Sequence, residues 1–101
     1  IYMCYTFVMH EGFFDWDGSN EDHVLAHGVA PVEVEEALLD PKGLRADAHN
    51  ASGEKRFAFL GSTEEGRILF IVYAERYGKA RPITARDANV VQKRRYGRGR
   101  R

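Results

Sequence analysis

Thirteen of the fifteen lysines and arginines fall after residue 53, with few groups near them that can move a proton. Glu75 and His49 are the titratable candidates for proton transfer, and Arg56, Arg76, Arg81 and Arg86 are the candidates for holding developing negative charge. Together they suit metal-free chemistry on a phosphodiester with a neighbouring 2′-hydroxyl. That chemistry needs a base for the hydroxyl proton, cations for the charge on the phosphorus oxygens, and an acid for the leaving 5′ oxygen. Each residue also has an ordinary role open to it. The arginines can be solvated at a sheet edge or helix end, and Glu75 can pair with a neighbouring arginine. Arg81 and Arg86 read as a strand end leading into a helix start, where backbone N–H groups add affinity for phosphate. Arg67, Arg94 and Arg95 extend the basic surface that would contact RNA; Tyr96 can stack on a base or cover the core. His23 and His27 have the spacing of a two-histidine metal site, but no cysteine cluster or His-Glu-x-x-His frame supplies a third ligand. No metal site and no cofactor are expected.

Positioning these groups requires a sheet. Ile68 to Ala74 is an unbroken apolar run rich in β-branched and aromatic residues, which predicts a central strand buried on both faces. Gly78 supplies a turn, and the chain returns from Ala80 to Ile83, completing a hairpin. Thr84 with Asp87 matches a capping pattern, so a helix is expected from about Ala85 to just before Gly97. Upstream, Phe13 to Asp17 reads as an extended segment with aromatic anchors. Ser19 with Asp22 repeats the capping pattern and predicts a helix over Asn20 to His27, stopped by Gly28, with Val29 packing back on Val24. Pro31 and the acids Glu33, Glu35 and Glu36 predict a second helix over Pro31 to Leu39, ended by Pro41 and Gly43. Leu44 to Ser52 reads as a short edge strand and loop, Phe57 to Leu60 as a strand, and Gly61 to Gly66 as a turn. The expected fold class is α+β: a small antiparallel sheet of three to four strands, two N-terminal helices and one C-terminal helix, with the helices against one face.

The length, 101 residues, suits one domain, and 44% apolar with 30% charged residues marks a globular chain. No apolar run is long enough to span a bilayer, so no membrane partner is expected. The lone cysteine, Cys4, cannot form an internal disulfide, and Ile1 to Met9 lacks the basic start and cleavage site of a signal peptide. Both point to the cytoplasm. The chain begins without methionine, and Met3 and Met9 are candidate natural starts. Residues 1–12 read as an extension, 13–96 as the domain and 97–101 as a basic tail. The net charge of zero hides a division: residues 1–53 hold two basic against ten acidic side chains, and residues 54–101 hold thirteen against five. A basic half of this kind suits an anionic partner, nucleic acid first.

Several short motifs, in order, carry a resemblance. They are Phe14-x-Trp16-Asp17, Asn20-x-x-His23, His27-Gly28-Val29, the acidic Pro31 to Leu38 helix, Leu60-Gly61 and Thr63-x-x-Gly66-Arg67. The strand from Leu69 to Tyr73, the run Arg81-Pro82-Ile83-Thr84-Ala85-Arg86, and Arg94-Arg95-Tyr96 complete the set. From about Phe13 to Tyr96 the chain resembles the BrnT family, small cytoplasmic toxins of type II toxin-antitoxin pairs with a RelE-like fold. The resemblance implies metal-independent RNA cleavage that arrests translation. It also implies neutralisation, in a toxin-antitoxin hetero-oligomer, by a BrnA-like antitoxin that is itself a DNA-binding repressor. Two departures stand out: Glu54-Lys55-Arg56 where many members carry Glu-Glu-Arg, and His49-Asn50 where His-Ser is frequent. The alternative is a non-catalytic module that uses the basic half to bind nucleic acid or protein.

Overall fold

The computed structural model describes residues 13–48 and 54–99. His49, Cys4, the N-terminal extension and the last two arginines lie outside the described residues. Three helices, α1 (Gly18–Ala26), α2 (Pro31–Leu38) and α3 (Val90–Gly99), accompany four strands, β1 (Leu44–Asp47), β2 (Arg56–Ser62), β3 (Ile68–Arg76) and β4 (Lys79–Asp87). The strands form an antiparallel meander in the order β1-β2-β3-β4. No helix among the described residues is long and apolar enough to cross a membrane.

Helix α1 is capped by Asp17, two residues before the Ser19 that the sequence pattern favours. Asp17 Oδ1 accepts from the N–H groups of Ser19 (2.9 Å) and Asn20 (3.1 Å), while Asn20 Oδ1 accepts from the Asp17 N–H (2.8 Å). That reciprocal box satisfies the first N–H groups of α1 two residues before a Ser19 cap could. At the other end Gly28 has φ +79°. Its N–H donates to Leu25 O, and the Val29 N–H donates to Val24 O at 3.0 Å. This six-to-one bond brings Val29 back onto Val24, and both are fully buried. Helix α2 starts at Pro31, whose missing N–H costs nothing there, and Glu33 Oε1 accepts from the Ala30 N–H at 3.0 Å.

Both helices pack on one face. Val24, Val29, Val34 and Ala37 meet Leu69, Ile71 and Ala85 in the main core, with Phe59 and Trp16 against it. Gly61 continues β2 rather than opening the turn, because α2 sits almost on it: a Cβ there would lie 2.1 Å from Ala37 O. The chain turns at Thr63 to Gly66, where Gly66 has φ +94°.

β3 alternates between buried and half-buried residues from Ile68 to Tyr73, so it is not buried on both faces as its composition predicts. Leu69, Ile71 and Tyr73 face α1 and α2. Ile68 and Phe70 face the other way and meet Leu44, Leu60, Ala88 and Tyr96 in a second core, closed by α3. The C-terminal helix thus covers one end of the sheet's opposite face instead of joining α1 and α2. The β3–β4 turn is two residues, Tyr77 (φ 55°) and Gly78 (φ 77°), between the paired Arg76 and Lys79.

The Thr84–Asp87 capping pattern does not start a helix. Strand pairing continues through Asp87, with Val72 opposite Thr84, Ile71 opposite Ala85, Phe70 opposite Arg86 and Leu69 opposite Asp87. Burying Ala85 and satisfying the edge of β3 outweigh the local preference, and a bulge at Ile83 absorbs the chain's irregularity beside Pro82. Asn89 caps α3 instead: its Oδ1 accepts from the Gln92 N–H (2.8 Å), and Gln92 Oε1 accepts from the Asn89 N–H (2.9 Å). On the far edge of β4, Phe14 bridges Ala80 in parallel and is 5% exposed.

Candidate functional site

Strand pairing sorts the basic side chains by face, because opposed residues share a side and the side alternates along each strand. On the face away from α1 and α2, Arg56, Ala74 and Arg81 share one row. Ala46, Ala58, Val72 and Thr84 share the next, and Leu44, Leu60, Phe70 and Arg86 the third. Arg76 and Lys79 are paired beyond the first row, beside the hairpin turn. Helix α3 covers only the Leu60–Phe70 end. The middle row carries small side chains and remains partly accessible, leaving a shallow depression that Gln92 and Arg95 border.

Arg86 is exposed. Its guanidinium carbon lies 4.6 Å above the Phe70 ring, and Nη1 donates to Asp87 O (3.1 Å) and Gln92 Oε1 (3.3 Å). The aromatic face and the helix cap therefore hold a charged group at the rim of the depression. Arg56 and Arg76 are bridged by one carboxylate: Glu54 Oε2 lies 3.1 Å from Arg76 Nη2, and Oε1 lies 3.6 Å from Arg56 Nη2. Glu54 is a site residue that sequence reasoning passes over, since its only signal is the Glu54-Lys55-Arg56 run before the strand. Gln92 is another, visible in sequence only as part of the Asn89-x-x-Gln92 cap.

Other candidates lie elsewhere. Alternation puts Glu75 on the side of Tyr73, across the sheet from Arg56 and Arg76, so the structure does not bring it to those cations. Arg81 and Arg86 stand in the middle and at the end of β4, and helix N–H groups begin only after Asn89. Neither therefore stands at a helix start, because β4 runs on through Asp87. Arg81 is 13% exposed and reaches Asp17 Oδ2 (3.0 Å) and Asp15 Oδ2 (3.6 Å). Asp17 thus uses one oxygen for the α1 cap and the other for Arg81. Its carboxyl is held below the usual carboxylate range first by the Asn20 N–H and then by Arg81.

Arg67 joins three elements: Nε and Nη2 meet the Asp87 carboxylate at 2.7 and 3.2 Å, and Nη1 meets Glu33 at 2.9 Å. The Asp87 bonds, followed by those to Glu33, hold its proton still more tightly than usual, and Asp87 is lowered in turn chiefly by Arg67. Arg94 and Arg95 are exposed on α3. Tyr96 is 4% exposed, closes the second core, and donates its hydroxyl to Asp40 Oδ2.

His23 links α1 to the edge strand β4, its Nε2 lying 3.2 Å from Thr84 Oγ1, and the His23 and His27 rings are 5.1 Å apart. Among the described residues, no group of three or more His, Cys, Asp or Glu could hold a metal ion. Asn20, from the same motif, is 4% exposed and ties α1 to β4 by donating to Asp15 O and Pro82 O, each at 3.0 Å.

The arrangement can therefore hold anionic groups on one sheet face, with Arg86 at one end, Arg56 and Arg76 at the other, and small residues between them. No curated protein matches the chain. The family model described as ribonuclease toxin, BrnT, of type II toxin-antitoxin system matches residues 16–91, from the segment entering α1 to the first turn of α3 and well over half of the chain. The chain belongs to that family of ribonuclease toxins.

Proposed function

We propose that this toxin cleaves single-stranded RNA in the cytoplasm without a metal ion, on the sheet face opposite α1 and α2, and thereby arrests translation. The observation that carries the reading is the line of cations that strand register puts on that face. Arg56, Arg76 and Arg86 share it, spread over three row spacings of about 7 Å each, roughly 20 Å in all, with Ala46, Ala58, Val72 and Thr84 in the middle row. That length suits an extended RNA strand contacted at more than one phosphate, with Arg95 at the rim adding a further contact.

The cations would hold the negative charge that builds as an internal 2′ oxygen attacks phosphorus, and His49 is a candidate for moving the proton. Residues 13–96 would act as one unit. A cognate, BrnA-like antitoxin would neutralise the toxin in a hetero-oligomer by covering this basic face with an acidic or amphipathic segment.

The test is an unstructured synthetic RNA incubated with the pure toxin in EDTA. Fragments ending in cyclic phosphate are expected, while 2′-methylated RNA and single-stranded DNA stay intact yet are retained weakly at low salt. A requirement for Mg²⁺, or cleavage of the DNA, would sink internal attack. Retention of RNA without cutting would favour the non-catalytic module, a reading supported by Glu75 standing across the sheet from the cations.

A further inference from the structure

We infer that the depression beside α3 is a guanine subsite, in which Gln92 and Arg95 read a base of the RNA strand; the inference rests on the open face being where RNA is cut. Both residues lie beyond residues 16–91, the part that the family model matches, so the family does not supply it. The floor is apolar. Leu44, Leu60 and Phe70 lie side by side in one row, with Ala46 and Ala58 in the next. Two strand spacings, about 10 Å, separate Leu44 from Phe70, which is room for a flat purine ring. Helix α3 walls the depression with Gln92 and Arg95, three residues apart and so on one helix face.

Gln92 carries the argument. Its Oε1 accepts from the Asn89 N–H at 2.9 Å and from Arg86 Nη1 at 3.3 Å, which fixes the amide and leaves Nε2 without a partner among the described residues. A glutamate would do both jobs better, because a carboxylate would pair with Arg86 as an ion and suit the N-terminus of α3. What glutamine has and glutamate lacks is the Nε2 donor. Arg95 is exposed and makes no hydrogen bond or ion pair with the described residues, so its guanidinium is open as well.

The depression therefore offers donors at its wall and no acidic side chain in its lining. Guanine alone presents two adjacent acceptors, O6 and N7, on one edge, and these match a pair of neighbouring donors. Adenine and cytosine turn an exocyclic amine towards the same donors, and uracil offers O4 alone on that edge. Arg86 stands at the far end of the row, above Phe70, and uses only Nη1 in its two bonds. Its other N–H groups are left for a phosphate of the same strand, so base and backbone are held together.

The test measures kcat/KM in EDTA on oligoadenosine strands that carry one variable nucleotide: guanosine, cytidine, uridine, inosine or 7-deazaguanosine. Wild type should favour the guanosine strand over the cytidine strand by about 10- to 100-fold. Inosine keeps O6 and N7 and should be cut like guanosine, whereas 7-deazaguanosine, which lacks N7, should lose about tenfold. Gln92→Glu keeps the acceptor that caps α3 and removes the donor. Its Tm should not fall, and its preference for guanosine over cytidine should shrink to less than about threefold, since a carboxylate accepts from the cytosine amine. Equal rates on guanosine and cytidine, 7-deazaguanosine cut as fast as guanosine, or a Gln92→Glu that is folded and keeps the wild-type preference would each overturn the subsite while leaving the proposed function standing. A wild type that cuts none of the strands overturns both.

Discussion

Replacing Asn20 by Ala removes three hydrogen bonds in a place where one partner is sealed from water. Asn20 Nδ2 donates to Asp15 O and Pro82 O, and Oδ1 accepts from the Asp17 N–H. The Pro82 carbonyl bond is buried, so its loss leaves an unsatisfied acceptor at a cost of about 1–3 kcal/mol. The other two bonds are partly accessible, and water can replace them at about 0.5–1 kcal/mol each. The sum, about 2–5 kcal/mol, corresponds to a fall in Tm on the order of 20 °C for a domain of this size. Asn20→Asp should be at least as damaging, since it turns a carboxylate oxygen towards the two carbonyls. Thermal unfolding followed by circular dichroism reads the shift, and RNA cleavage per folded molecule should be unchanged well below Tm. A Tm within about 2 °C of wild type would refute this accounting. An unchanged Tm with lost cleavage would move Asn20 from the scaffold to the site.

Arg81→Ala should lower Tm by several degrees, because it frees the carboxylate that also caps α1, and a stability loss without a specific defect in cleavage of the folded protein checks that role. Gly61→Ala should destabilise by about 2–3 kcal/mol in urea unfolding, since the new methyl would meet the Ala37 carbonyl carbon at 2.9 Å and its oxygen at 2.1 Å, and backbone cannot swing aside like a side chain. Acid should weaken the fold through Asp17 and Asp87. Both carboxyls are lowered in the folded protein, so their stabilisation is complete above the unfolded value of about 4 and is lost as pH falls through the folded values. A urea midpoint that stays flat from pH 7 down to about 5 and then drops checks the sign, and Asp87→Asn should flatten that drop.

The glycine stop at Gly28 and the proline start at Pro31 were legible because each depends on neighbours within a few residues. The same holds for the β3–β4 turn at Gly78. Two helix starts were misread for one reason. Ser19-x-x-Asp22 and Thr84-x-x-Asp87 satisfy a local pattern, yet Asp17 and Asn20 close a better box at one, and pairing with β3 takes the other into a strand. Gly61 looked like punctuation because nothing in its own segment reveals that α2 lies against it.

The basic face was only partly legible. Composition announces the cations, but which of them share a side follows from strand register and the bulge at Ile83, and these are set by contacts distant in sequence. Hence Arg67 and Arg81, indistinguishable in sequence from Arg86, prove to be tied to Asp87, Glu33, Asp17 and Asp15.

The central claim is that the sheet face opposite α1 and α2 is where RNA is cut. It is tested most directly by single-turnover cleavage of one RNA in EDTA by Arg86→Ala and Arg67→Ala, at a temperature where both are folded. Arg86→Ala removes an exposed cation from the rim of the open face and should slow cleavage on the order of 10²-fold, the scale of losing one charge-stabilising donor. Arg67→Ala breaks ion pairs that join α2 to β4 on the other side, and should lower Tm while cutting at the wild-type rate. Arg86→Ala cutting like wild type, with Arg67→Ala silent at full stability, would contradict the account.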